Sequence, residues 1–194
     1  MKKYILLSFS IITLLSCKTK AQKETAVSAA DTKEIEEVSA TSEEQEVQEE
    51  ILVGKHTRED LTVKPYNEWF ESGYKEYEPK ETVVKDIKSL AEGVKVKIFM
   101  GTWCSDSQRE VPHFLKIMDE ANYSYEDFEL IMMTRDKTTP ENLEKGLNIT
   151  NVPTIIFYKN GEEINRIVEY SIETLEEDIL AILKGEDYKN AYAD

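Results

Sequence analysis

The apolar positions of this 194-residue chain fall into three stretches with different patterns. Tyr4 to Leu15 is a mostly apolar run behind Met1-Lys2-Lys3, and Lys18 to Glu50 shows no apolar periodicity. From Ile51 onward the pattern becomes periodic and predicts a succession of elements. Tyr66, Trp69, Phe70, Tyr74 and Tyr77 recur at helical spacing before Pro79 and read as an aromatic stripe facing a core. Glu81 to Glu92 repeats Val84, Ile87 and Leu90 on one face, with Gly93 placed as a C-terminal cap. Val94 to Met100 alternates apolar residues with Lys95 and Lys97 and then turns wholly apolar, as a strand entering a core does. Val111, Phe114, Leu115 and Met118 predict a helix over Gln108–Asn122, followed by a buried strand over Phe128–Thr134 and a short helix over Pro140–Leu147. Thr154–Tyr158 and Glu163–Glu169 read as strands joined across Asn160-Gly161, a strong hairpin signal. Thr174–Lys184 closes the chain as an amphipathic helix with Gly185 behind it. Helices and strands in this order predict an α/β domain.

Charge divides the chain further. There are 39 acidic residues against 24 basic ones, a net charge of −15, which argues against phosphate-backbone recognition and hence against nucleic acid as a partner. Lys18 to Glu50 carries −6 of this and residues 51–194 carry −11. A stretch so polar and charged cannot bury enough surface to repay ordering, so it reads as an acidic tether. Two lysines before a short apolar run match a secretory signal, and the run falls short of the ~20 residues that span a bilayer. Leu14-Leu15-Ser16-Cys17 resembles a bacterial lipobox, in which the cysteine becomes the lipidated first residue. The expectation is a signal peptide over 1–16, a lipidated Cys17 with its tether over 17–50, and one domain over 51–194. The resemblance implies an envelope protein that meets the membrane through its lipid.

Two cysteines and two histidines limit the chemistry. They cannot make a disulfide framework or a four-cysteine zinc site, and lipidation of Cys17 leaves Cys104 as one free thiol. Cys104 lies in Gly101-Thr102-Trp103-Cys104-Ser105-Asp106-Ser107, between a buried strand and a helix. The unpaired N–H groups of Ser105 to Ser107 at the helix start favour thiolate over thiol there. The carboxyl edge of a sheet is also where α/β folds place their sites. His113 cannot serve as a base for acyl chemistry: nine residues along the helix it is turned by about 180° and displaced by roughly 13 Å. His56 sits at the tether's edge, and Cys104 with Asp106 lacks the further ligands a metal needs. Arg135-Asp136-Lys137, at the end of a strand, reads as a surface charge cluster or a substrate contact.

Here the chain resembles the thioredoxin superfamily. Trp103-Cys104-Ser105-Asp106-Ser107 stands where that family has W-C-x-x-C, and Pro112 matches the proline of its active-site helix. Leu147 to Thr154 resembles the segment leading into the family's cis-proline loop, and Phe157 to Glu162 resembles its hairpin, with Gly161 eight residues beyond Pro153. The likeness covers about residues 81–185, and the Gly-Thr-Trp-Cys-x-Asp-Ser run resembles envelope thioredoxin-like proteins of Bacteroidetes. It implies a thioredoxin-like α/β fold, a central mixed β-sheet flanked by helices, here with an N-terminal aromatic helical extension. It also implies Cys104 as nucleophile, with Ser107 positioned to hydrogen-bond it. Trp103, Val152, Pro153 and Thr154 would shape a peptide groove.

Three departures bear on function. Ser107 replaces the resolving cysteine, and a hydroxyl cannot attack a mixed disulfide, so release needs an outside thiol. Ile98 stands where thioredoxins usually have a buried Asp. Glu169 replaces the family glycine beside the active site, and with Asp106 it disfavours a nearby thiolate. The expected activity is monothiol thiol–disulfide exchange with thiol- or disulfide-bearing envelope proteins or small thiols, without cofactor or metal. The alternative is a redox-inactive thioredoxin fold used for binding or scaffolding.

Overall fold

The computed structural model describes residues 51–193; the signal segment, Cys17 and the acidic stretch expected before Ile51 lie outside them. The described residues form five strands and four α-helices: β1 Gly54–His56, α1 Asn67–Glu76, α2 Glu81–Leu90, β2 Val94–Met100, α3 Ser105–Glu120, β3 Phe128–Met132, β4 Thr154–Lys159, β5 Glu162–Val168 and α4 Leu175–Lys184. The sheet order is β1-β3-β2-β4-β5. β2 and β3 run parallel, while β1 on β3, β4 on β2 and β5 on β4 are antiparallel. This is the thioredoxin-like mixed sheet flanked by helices that the resemblance implies.

The period-2 alternation in β2 sorts two faces. Val94, Val96, Ile98 and Met100 enter one large core with Leu130, Met132, Ile155, Phe157 and Ile167. All four helices join it: Phe70 from α1, Val84 and Ile87 from α2, Phe114 and Leu115 from α3, Ile179 and Ile182 from α4. Phe99 turns to the opposite face, into a second core with Ile131, Met133, Val152 and Ile156. On that same face Lys95 and Lys97 stay out of the core and pair with Asp127 and Glu129.

Local signals explain the element ends. Asn160 and Gly161 both take positive φ, 55° and 86°, as a two-residue hairpin turn with the strands' own twist requires. Gly185 caps α4 in the left-handed region at φ 71°. α3 starts at Ser105, three residues before the expected start, because Cys104 is already its N-cap. Gly73 lets α1 lie close on α3: a Cβ there would stand 3.2 Å from Pro112 Cβ.

Two expectations fail for stated reasons. Pro140–Leu147 is a run of turns, not a helix. Thr139 begins like a cap, its Oγ1 accepting the Leu143 N–H at 2.8 Å, but Asn142 at φ 55° and Gly146 at φ 82° break propagation. β1 was not foreseen, since three residues carry no periodicity; pairing of Gly54, Lys55 and His56 with Met132, Ile131 and Leu130 creates it.

Candidate functional site

The site grows from the point where β2 ends. The chain turns through Gly101–Cys104, the Cys104 N–H donating to the Gly101 carbonyl at 3.0 Å. Cys104 is extended at φ −99°, ψ 122°, and forms the N-cap of α3. Gln108 closes the turn from within the helix: its N–H donates to the Cys104 carbonyl at 2.9 Å and its side-chain Nε2 to the Thr102 carbonyl at 2.7 Å.

The half-buried sulfur does not cap the helix. Its S–H donates across to the Val152 carbonyl at 3.1 Å. The Val152–Pro153 bond is cis, and the Thr154 hydroxyl donates to the Asn151 carbonyl at 2.7 Å, tying the loop to the start of β4. Cys104 thus meets the Val152–Thr154 loop, which begins 48 residues later in the sequence, at one edge of the sheet. A second cis bond, Lys64–Pro65, lies elsewhere and was not foreseen.

Ser107 takes a different role from the one expected. It is fully buried, and its hydroxyl accepts the Gly101 N–H at 3.2 Å instead of bonding the sulfur. It therefore ties the first turn of α3 to the end of β2. Trp103 is pinned beside it: its indole Nε1–H donates to the Met133 carbonyl at 2.9 Å, and the Arg135 guanidinium lies 5.3 Å over the ring. The ring covers Gly101 so closely that a Cβ there would stand 2.5 Å from Trp103 Cε2. Arg135 thus contacts the site through Trp103.

Both acids beside the thiol are engaged. Asp106 pairs with Arg109 Nη2 at 2.8 Å. Glu169 holds a left-handed backbone at φ 67°, with its N–H on the Pro153 carbonyl at 2.7 Å. Its Oε2 accepts from Asn151 Nδ2 at 3.1 Å and from the Tyr192 hydroxyl. Ile98, where the family has an acid, is fully buried in the large core. A buried acid does occur nearby: Glu110, one helical turn beyond Ser107, where burial pushes its carboxyl above the usual range against an Arg109 Nε bond of 2.9 Å. His113 stacks on Tyr77 with centroids 4.1 Å apart and is lowered by burial, while His56 bonds Asp60 at 3.0 Å; neither meets the sulfur.

Gly101, Gln108, Asn151 and Tyr192 were not singled out from the sequence. Gly101 and Asn151 sat inside the quoted motifs, but their roles depend on what crosses them from elsewhere in the fold. Nothing in the sequence points Tyr192 at Glu169.

A family model described as Thioredoxin matches residues 54–181, more than half of the chain. The chain belongs to the thioredoxin family. Its members include similar proteins from distant sources. Thioredoxin of Mycoplasma genitalium is 28% identical over 98 residues, covering 48% of this chain and 90% of that protein. Thioredoxin-2 of Saccharomyces cerevisiae is 28% identical over 82 residues, covering 41% and 73%. A solved structure of oxidized mitochondrial thioredoxin 3 from Saccharomyces cerevisiae aligns over 44% of this chain and 76% of that one, at 24% identity and a TM-score of 0.30. Family membership and a thiol at the start of α3 are together consistent with thiol–disulfide exchange as a general chemistry.

Proposed function

We propose that this thioredoxin-family protein performs monothiol thiol–disulfide exchange through Cys104. The observation that carries the reading is the thiol itself: it sits at the N-cap of α3 with its S–H on the Val152 carbonyl, and it is the free cysteine among the described residues. Position 107, where a resolving thiol would stand, holds a buried hydroxyl engaged with Gly101. The Cys104 sulfur attacks one sulfur of a partner disulfide. A Cys104–S bond forms, the partner S–S bond breaks, and the displaced sulfur leaves as thiolate and takes the proton Cys104 gave up. An outside thiol then attacks the mixed disulfide, regenerating Cys104 and carrying the partner away as a new disulfide. No net oxidant is consumed. Trp103 and the Val152–Thr154 loop line the groove.

The same reading makes the protein a Cys17-lipidated envelope protein, like the Bacteroidetes proteins its Gly101–Ser107 motif resembles, meeting thiol- or disulfide-bearing envelope proteins or small thiols. One observation favours the second reading, a redox-inactive binding fold: the bond to Val152 is made by the protonated sulfur and is lost on ionisation. Purification from the host without reductant, followed by intact-mass analysis, separates the two. Exchange leaves Cys104 disulfide-linked to partners, because no second thiol among the described residues resolves them. A thiol that stays free across growth conditions, and reacts with a thiol reagent no faster than free cysteine at pH 7, refutes the redox reading.

A further inference from the structure

Glu169 stands out as a side chain placed at a cost. Its φ of 67° lies in the left-handed region that residues with a Cβ seldom adopt. The backbone is held there by the Pro153 carbonyl, on the loop whose Val152 carbonyl takes the Cys104 S–H. The carboxylate is then aimed. Asn151 Nδ2 and the Tyr192 hydroxyl both donate to the same oxygen, Oε2, which leaves Oε1 without a partner among the described residues. No Lys or Arg of the described residues forms an ion pair with it, whereas Asp106 and Glu110 share Arg109. Two neutral donors on one oxygen leave the acceptor sites of the other oxygen open.

Around it lies exposed apolar surface. Tyr170 and Tyr192 are 44% and 52% exposed, and their rings meet at 6.5 Å between centroids. Two exposed aromatic rings beside one open carboxylate oxygen make a surface with a defined preference: an apolar contact flanked by a positive charge.

We infer that the cis-proline flank of this groove selects a partner segment carrying Lys or Arg next to its cysteine, the cation meeting Glu169 Oε1 and neighbouring apolar side chains lying on Tyr170 and Tyr192. The inference rests on the groove reading above but does not require Cys104 to react.

The test uses the full chain in nonionic detergent and two fluorescent peptides of one sequence, with serine in place of cysteine and either lysine or glutamate flanking it. The lysine peptide binds more tightly at low salt by about threefold to fivefold, the size of one half-exposed ion pair, and the gap narrows as salt rises. Glu169→Gln brings the ratio towards one. Glu162→Gln, which removes an equal charge at the far hairpin, leaves it unchanged. Equal binding of the two peptides, or a preference that survives Glu169→Gln, overturns the inference. A kinetic arm with cysteine-containing versions, activated as aryl disulfides, separates this from the proposed chemistry. If Cys104 is inert while the binding preference holds, the exchange reading fails and the partner preference stands. If both peptides react equally fast, exchange stands and the preference fails.

Discussion

Replacing Gly101 by alanine is the sharpest probe of how the site is built. A Cβ at 101 would lie 2.5 Å from Trp103 Cε2, 2.7 Å from Nε1 and 2.9 Å from Cζ2. Carbon atoms settle at about 3.5–4.0 Å, so the ring has to retreat by roughly 1 Å. It has little freedom to do so. One edge is tied to the Met133 carbonyl by a 2.9 Å bond, and the Arg135 guanidinium lies over the ring. Overpacking costs about 1–3 kcal/mol, the indole bond about 1 kcal/mol and the cation–π contact about 0.5–1 kcal/mol. These terms overlap, and a loss of about 2–4 kcal/mol is expected. Urea unfolding of Gly101→Ala followed by far-ultraviolet circular dichroism measures it, a signal that does not depend on Trp103. The decisive comparison is a cycle with Trp103→Ala, in which the added methyl has no ring to meet. Gly101→Ala then costs less than about 1 kcal/mol. An equal cost in both backgrounds refutes the close-approach argument.

Further predictions follow from the same contacts. Ser107→Cys supplies a second thiol in the first turn of α3: a small-thiol adduct on Cys104, stable in the parent, leaves by first-order kinetics as the free thiol and the variant ends 2 Da below its fully reduced mass, whereas a persistent adduct shows that position 107 does not reach the sulfur. The same substitution replaces the acceptor of the buried Gly101 N–H with sulfur, a poorer one, at about 1 kcal/mol in the reduced protein. Glu110→Gln tests burial, which raises the Glu110 carboxyl in the fold. A raised acid contributes most below its unfolded value, and that contribution is lost as pH rises through the folded value. The variant therefore matches the parent near pH 4 and is the more stable of the two at pH 7; curves that stay parallel across this range refute it. Asp119 has the opposite sign: burial opposes it, but bonds from Tyr74, Tyr125 and Arg58, of 2.6–2.7 Å, outweigh burial and hold its carboxyl low. Its contribution is present above the unfolded value and lost as pH falls through the folded one. Asp119→Ala costs about 2–3 kcal/mol at pH 7 and flattens the acid limb of a melting-temperature profile.

What the chain alone determined was whatever rests on local chemistry. Apolar periodicity placed α1, α2, α4 and strands β2 to β5 within a few residues, because a helix or strand declares its buried face at 3.6 or 2 residues. Asn160-Gly161 declared its turn because only such residues take two successive positive φ values cheaply. Cys104 was legible from its place at a strand-to-helix turn, while Trp103, Val152 and Pro153 were singled out through the resemblance to thioredoxins. Tertiary structure decided the rest. β1 exists because β3 offers it an edge, and the stretch after Thr139 stays unhelical because its caps cannot offset Asn142 and Gly146. Ser107 faces Gly101, not the sulfur, and the sulfur faces a carbonyl 48 residues away. Glu169 looked from the sequence like an acid that merely opposes a thiolate. In the fold it is a carboxylate steered by Asn151 and by Tyr192, 23 residues on, with one oxygen left open. Contacts between distant residues are set by how the layers pack, and no local pattern encodes them.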